Sequence, residues 1–129
     1  MVRTMKVLIV EDREETRGLI KRFIRDQVDE FVDCENGSEA VAAYDQHRPD
    51  FVLMDTKMRE VDGFEATREI KAAFSDARVV IVSQLDSPAL RETARMAGAE
   101  KCIIKSDHVQ LREYLAEAKA SGGTDPSGR

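Results

Sequence analysis

At 129 residues the chain is long enough for one domain with a real hydrophobic core. Charged residues make up 35% of it and aromatics 5%, and the net charge of −5 leaves no basic footprint for nucleic acid, so direct DNA binding is not expected. No apolar run approaches the roughly 20 residues of a membrane helix, and the start, MVRTMKVLIVEDREE, has no long apolar stretch with a cleavage site, so no membrane role and a cytoplasmic location are expected.

The first strand-length apolar run is KVLIV from Lys6, which runs into Glu11 and Asp12. Asp12 followed by Glu15 reads as a capping box for a helix whose apolar positions are Leu19, Ile20, Phe23 and Ile24. FVDC from Phe31 is the second strand; Asn36-Gly37 is a turn; Ala40, Val41 and Tyr44 mark a second helix, closed by Pro49. FVLM from Phe51 is a third strand and runs into Asp55. Asp62 with Glu65 opens a third helix carrying Ile70, Ala73 and Phe74. RVVIV from Arg78 runs into Ser83, and Ser87-Pro88 starts a short fourth helix with Leu90, Ala94 and Ala97, ended by Gly98 as a left-handed cap. KCII from Lys101 runs into Lys105, and a fifth helix carries Leu111, Leu115 and Ala118. The domain is expected over 1–120, with SGGTDPSGR, 121–129, as a flexible tail too poor in apolar residues to pack.

Strict alternation of strand and helix, with nearly continuous apolar strands, predicts a parallel sheet covered on both faces by right-handed crossovers. The expected class is α/β, a flavodoxin-like (βα)5 doubly wound sheet in the order 2-1-3-4-5, with ligands beyond the carboxyl ends of the strands. Cys34 and Cys102 then lie on opposite edges, about 19 Å apart at about 4.8 Å per strand, too far for a disulfide.

In such a sheet Glu11, Asp12, Asp55, Ser83 and Lys105 all open on one edge. Taken singly each has an ordinary reading: a helix cap for Asp12, an Asx turn for Asp55, a turn hydroxyl for Ser83, a solvated ammonium for Lys105. Together they are a site. Three acids held in contact must shift their pKa values upward or find a cation, and a hard divalent ion with oxygen ligands, Mg²⁺, answers that need and suits phosphate chemistry. Lys105 and Ser83 add a point charge and a hydroxyl donor for phosphate oxygens. His47 and His108 fall at a helix end and a helix start and are assigned to neither metal nor phosphate.

These residues resemble the receiver domain of two-component response regulators from Lys6 to about Ala118. VLIVED carries the acidic pair, FVLMDTKMREVDG the phosphoacceptor segment, VVIVSQ the switch segment and AGAEKCIIK the terminal lysine. The resemblance implies a phosphorelay switch: Asp55 takes a phosphoryl group from a sensor histidine kinase or histidine phosphotransfer protein. Mg²⁺ would sit on Glu11, Asp12, Asp55 and the Lys57 main-chain carbonyl, and Ser83 with Lys105 would bind the phosphate. The output is a protein target read by the fourth helix, fifth strand and fifth helix, and the chain promotes only its own phosphotransfer and dephosphorylation.

Four positions depart from the family pattern. Arg59 stands where proline is usual, Gln84 where a small residue follows the switch hydroxyl, Cys102 where an aromatic often swings inward, and Ser106 where proline often follows the lysine. Lys57 and Leu85 flank the expected path of attacking water and are expected to tune phosphate lifetime. The chain is expected to be a stand-alone receiver or the receiver part of a longer regulator. Competing readings are a receiver-like adaptor indifferent to phosphorylation, and a small hydrolase or flavin carrier, for which no Gly-rich phosphate loop or Ser-His pair is visible.

Overall fold

The structure, a computed structural model, describes residues 4–57 and 62–120. The expectations for Arg59 and for the tail lie outside the described residues. Along the chain run β1 (Lys6–Val10), α1 (Glu14–Ile24), β2 (Glu30–Cys34), a 3-10 turn (Gly37–Glu39), α2 (Ala40–His47), β3 (Phe51–Asp55), α3 (Gly63–Ala73), β4 (Val79–Ser83), α4 (Pro88–Ala97), β5 (Lys101–Ile104) and α5 (His108–Ala120). The five strands form one parallel sheet in the order β2-β1-β3-β4-β5, as the alternation predicts.

Successive side chains of a strand point to opposite faces, so each central strand feeds two cores. Leu8, Val10, Val52 and Met54 pack against Tyr44, Ala66 and Ile70 of α2 and α3. Val7, Ile9, Leu53 and Val82 pack against Ile20 and Ile24 of α1 and Leu111 and Leu115 of α5. Every residue of β3 and β4 is buried, which is why these strands read as unbroken apolar runs. At about 1.5 to 3 kcal/mol for each large side chain removed from water, the two layers hold the strand ends in fixed relation.

Turn chemistry matches the punctuation of the sequence, with one exception. Asp62 Oδ1 accepts from the Glu65 N–H at 2.8 Å, Ser87 Oγ accepts from the Leu90 N–H at 3.1 Å, and Gly98 ends α4 at φ 108°. Asn36 caps the 3-10 turn through the Glu39 N–H, and Arg48, in the left-handed region at φ 46°, ends α2 immediately before Pro49. The exception is Asp12. The N-cap position of α1 is Arg13, which makes no side-chain cap, one residue beyond the Asp12 that the spacing to Glu15 predicts. Asp12 instead faces the acids at the end of β1 and β3. Cys34 and Cys102 are both free thiols on the two outer strands. Among the described residues no helix is long and apolar enough to cross a membrane.

Candidate functional site

Register places the acids. Val10 pairs with Met54, so one step further along two parallel strands Glu11 and Asp55 arrive side by side. On the other side Ser83 pairs with Ile104, and the Lys105 N–H donates to the Ser83 carbonyl at 2.6 Å, which locks the ends of β4 and β5 together. Glu11 is 1% exposed and Asp55 6%, and ligand oxygens of Glu11, Asp12 and Asp55 all lie within 4.8 Å of one another. Lys105 reaches in from its own strand end, its Nζ 2.8 Å from Asp55 Oδ1 and 3.0 Å from Glu11 Oε1.

The electrostatics follow from that crowding. Burial pushes the Glu11 carboxyl above its ordinary value, and the charge of Asp55 adds to the effect against the opposing pull of Lys105. Burial alone would lower Lys105, but its bonds to Asp55 and Glu11 outweigh it and hold the ammonium firmly protonated. Three carboxylates gather here, and the Lys105 ammonium touches two of them, Asp55 and Glu11. An all-oxygen donor set from three carboxylates fits a hard dication.

Beside the acids opens a cavity of about 380 Å³. Asp55, Ser83, Lys57 and Lys105 line it, together with Arg13, and Phe64, Leu85 and Leu90 form its apolar side. Ser83 is 2% exposed, and its Oγ accepts the Leu85 N–H at 3.1 Å. Gln84 lines this cavity and a second one of about 360 Å³ between α1 and the β5–α5 connection, so Gln84 and Lys105 stand between the two. Leu85 is exposed at the rim. Lys57, Gln84 and Leu85 therefore all line the cavity beside the acids. Cys102 does not. It lies opposite Ile81, inside the edge strand β5, and lines a groove with Arg91 and Ala94, where burial raises its thiol.

Two residues here were not singled out from the sequence. Gly63 begins α3 directly against the main chain of Asp55, and Arg17 is buried in the α1 face beneath Glu11. The Asp-Gly pair at 62–63 signals a helix start but not a close approach. An arginine inside the apolar stripe of α1 is the available hint for the second.

A family model described as the response regulator receiver domain matches residues 7–116. The chain belongs to the response-regulator receiver family. This receiver is 38% identical over 102 residues to the chemotaxis protein CheY of Listeria monocytogenes, covering 78% of this chain and 86% of that one. A two-component response regulator of the LuxR family from Aurantimonas superposes with a TM-score of 0.83 at 28% identity, over 92% of this chain and 86% of that one. CheY of Borrelia burgdorferi, solved in a complex with CheX, BeF3 and Mg²⁺, superposes with a TM-score of 0.81 at 25% identity, covering 88% of each chain. The receiver is thus of the two-component, CheY-like kind, and its relatives are signalling proteins.

Proposed function

We propose that this receiver is a phosphoacceptor switch of a two-component or phosphorelay system. Asp55 accepts the phosphoryl group from a phosphohistidine on a sensor histidine kinase or histidine phosphotransfer protein. The observation that carries this reading is the position of Lys105 Nζ, 2.8 Å from Asp55 Oδ1 and 3.0 Å from Glu11 Oε1, inside a buried acid cluster that opens on a cavity. A carboxylate oxygen of Asp55 attacks phosphorus, an O–P bond forms as the P–N bond breaks, and the electron pair of that bond returns to the imidazole nitrogen. Burial keeps competing water away from the acyl phosphate, and Lys105 is within reach of the charge that develops on the phosphoryl oxygens.

The donor set fits Mg²⁺, with Glu11, Asp12, Asp55 and the Lys57 main-chain carbonyl as its holders. When bound, the ion supplies charge neutralisation and a hold on phosphate oxygens. Ser83 Oγ accepts from the Leu85 N–H, and its own O–H donates to the phosphate, which couples the modification to the segment that leads into α4. Lys57 and Leu85 line the side from which water reaches Asp55 and set the lifetime of the product. The output surface in this reading is the face made by α4, β5 and α5, with a protein as its target. Cys102 offers no ring to swing inward there, so the movement passes through main chain and Gln84.

The test is to treat the chain with a small phosphodonor, with and without Mg²⁺, beside Asp55→Asn. Labelling by one phosphoryl group that needs Mg²⁺ and is lost in Asp55→Asn supports the proposal; equal labelling of both proteins ends it. The presence of Gln84, beside Ser83 on the cavity wall, favours a second reading, an adaptor whose partner affinity ignores phosphate. Partner binding unchanged by phosphodonor and by Asp55→Asn would select it.

A further inference from the structure

Beyond the last β1–β2 pair, Val10 with Cys34, the main chain of Glu11 is held from both sides. Its N–H donates to the Cys34 carbonyl at 3.0 Å, which extends the ladder by one bond. Its carbonyl has passed the end of the sheet and takes its partner from a side chain: Arg17 Nη1 donates to it at 2.6 Å. Arg17 is itself 8% exposed and sits on the same buried face of α1 as Ile20 and Ile24. Its Nε lies 3.6 Å from Asp33 Oδ2 on β2, and Asp33 is held in turn by Lys21 at 2.7 Å.

A buried guanidinium is a poor way to stabilise a helix face, since desolvation offsets most of its pairing energy and an apolar side chain of similar size serves as well. Its hydrogen bond to the Glu11 carbonyl points to another use. The Glu11 carbonyl belongs to the peptide plane that joins Glu11 to Asp12, so fixing it sets the direction in which both side chains leave the strand end. We infer that Arg17 is a positioning residue for the acid pair: its guanidinium, braced by Asp33, holds the Glu11–Asp12 peptide so that both carboxylates face Asp55. This rests on the reading of the cluster as a Mg²⁺ site. Arg17 touches no candidate ligand oxygen and acts through the peptide, the way an outer partner orients a metal ligand.

The measurement is the Mg²⁺ dissociation constant of the full chain by calorimetry, with melting recorded alongside, for the parent, Arg17→Met and Arg17→Lys. Arg17→Met keeps the stem and removes both polar contacts, and it should weaken Mg²⁺ by about tenfold, the size of effect seen when outer partners of metal ligands are removed. Arg17→Lys keeps the charge but has no fork to span the carbonyl and Asp33, so a smaller loss of affinity is expected with melting close to that of the parent. If Arg17→Met does not fold, the lysine variant decides. Parent-like Mg²⁺ affinity in a folded variant overturns the inference. A parent chain that binds no Mg²⁺ would refute the metal reading itself, and this inference with it.

Discussion

A Cβ built on Gly63 would stand 1.9 Å from the carbonyl oxygen of Asp55 and 2.8 Å from its carbonyl carbon. The Gly63 N–H donates to the Thr56 carbonyl at 3.1 Å, so α3 starts in direct contact with the segment that carries the acceptor. The clash is with main chain, which cannot rotate aside. Gly63→Ala should therefore push α3 and β3 apart and cost about 1 to 3 kcal/mol, the usual range for overpacking a closed site. Urea denaturation reads the loss. Labelling of Asp55 should fall in the fraction that stays folded, because the displaced atom belongs to Asp55 itself.

Asp12 illustrates the opposition between stability and chemistry at this edge. It shares a cluster with two buried carboxylates, so removing its charge relieves like-charge repulsion among the three. Asp12→Asn should raise the metal-free stability by about 1 kcal/mol, a modest gain typical of relieving a like-charge contact near the surface. The same change removes one donor from the proposed ion site, so Mg²⁺ should bind less tightly and stabilise the variant less than the parent. Melting curves with and without Mg²⁺ read both effects. A variant no more stable than the parent without metal would show that the cluster is not strained.

Lys105 works in the other direction. Its Nζ is the cation that touches both Glu11 and Asp55, and Lys105→Met leaves two buried carboxylates facing each other. Breaking one side of a buried pair costs about 3 kcal/mol or more, and the 17% exposure of the Lys105 side chain sets the expectation at the low end. Mg²⁺ should restore more stability to this variant than it adds to the parent, since the ion can take over the neutralisation. Chemical denaturation at several Mg²⁺ concentrations checks the crossing of the two curves.

How far the sequence carried the argument depends on the kind of information each residue needs. Asp55, Glu11, Ser83 and Lys105 were legible because each ends an apolar strand, and parallel topology alone brings strand ends to one edge. Asp12 was legible as an acid of that edge, but the spacing to Glu15 also matched a cap, whereas α1 starts at Glu14 with Arg13 in the N-cap position. Spacing could not tell a side chain turned toward its own helix from one turned toward β3. Gly63 and Arg17 escaped notice because their importance is tertiary: one is defined by the Asp55 carbonyl above it, the other by a carbonyl that the sheet leaves unpaired. Cys102 was legible as a mid-strand thiol, and its distance from the cavity follows from the register opposite Ile81.

At the far end of the sheet, Glu100 provides a pH prediction that is independent of the acid cluster. Arg78 grips its carboxylate with two bonds, Nε to Oε1 at 2.9 Å and Nη2 to Oε2 at 2.7 Å, while the Tyr114 hydroxyl donates to Oε2 and the guanidinium lies 4.4 Å over the Phe51 ring. Burial alone would raise Glu100, but the bonds from Arg78 and Tyr114 outweigh it and hold the carboxyl below its ordinary value of 4.5. A depressed carboxyl binds its proton more weakly in the folded chain than in the unfolded one, so its contribution is present in full above pH 4.5 and lost as pH falls through the folded value. Glu100→Gln should then lower stability at neutral pH by about 1 kcal/mol, discounted for partial solvent screening. The gap between parent and variant should close on acidification below 4.5. Denaturation midpoints across that range test the sign. Mg²⁺ affinity and Asp55 labelling should stay at parent values, because the clamp ties the starts of β4 and β5 to α5 while the acids gather at the opposite ends of the same strands.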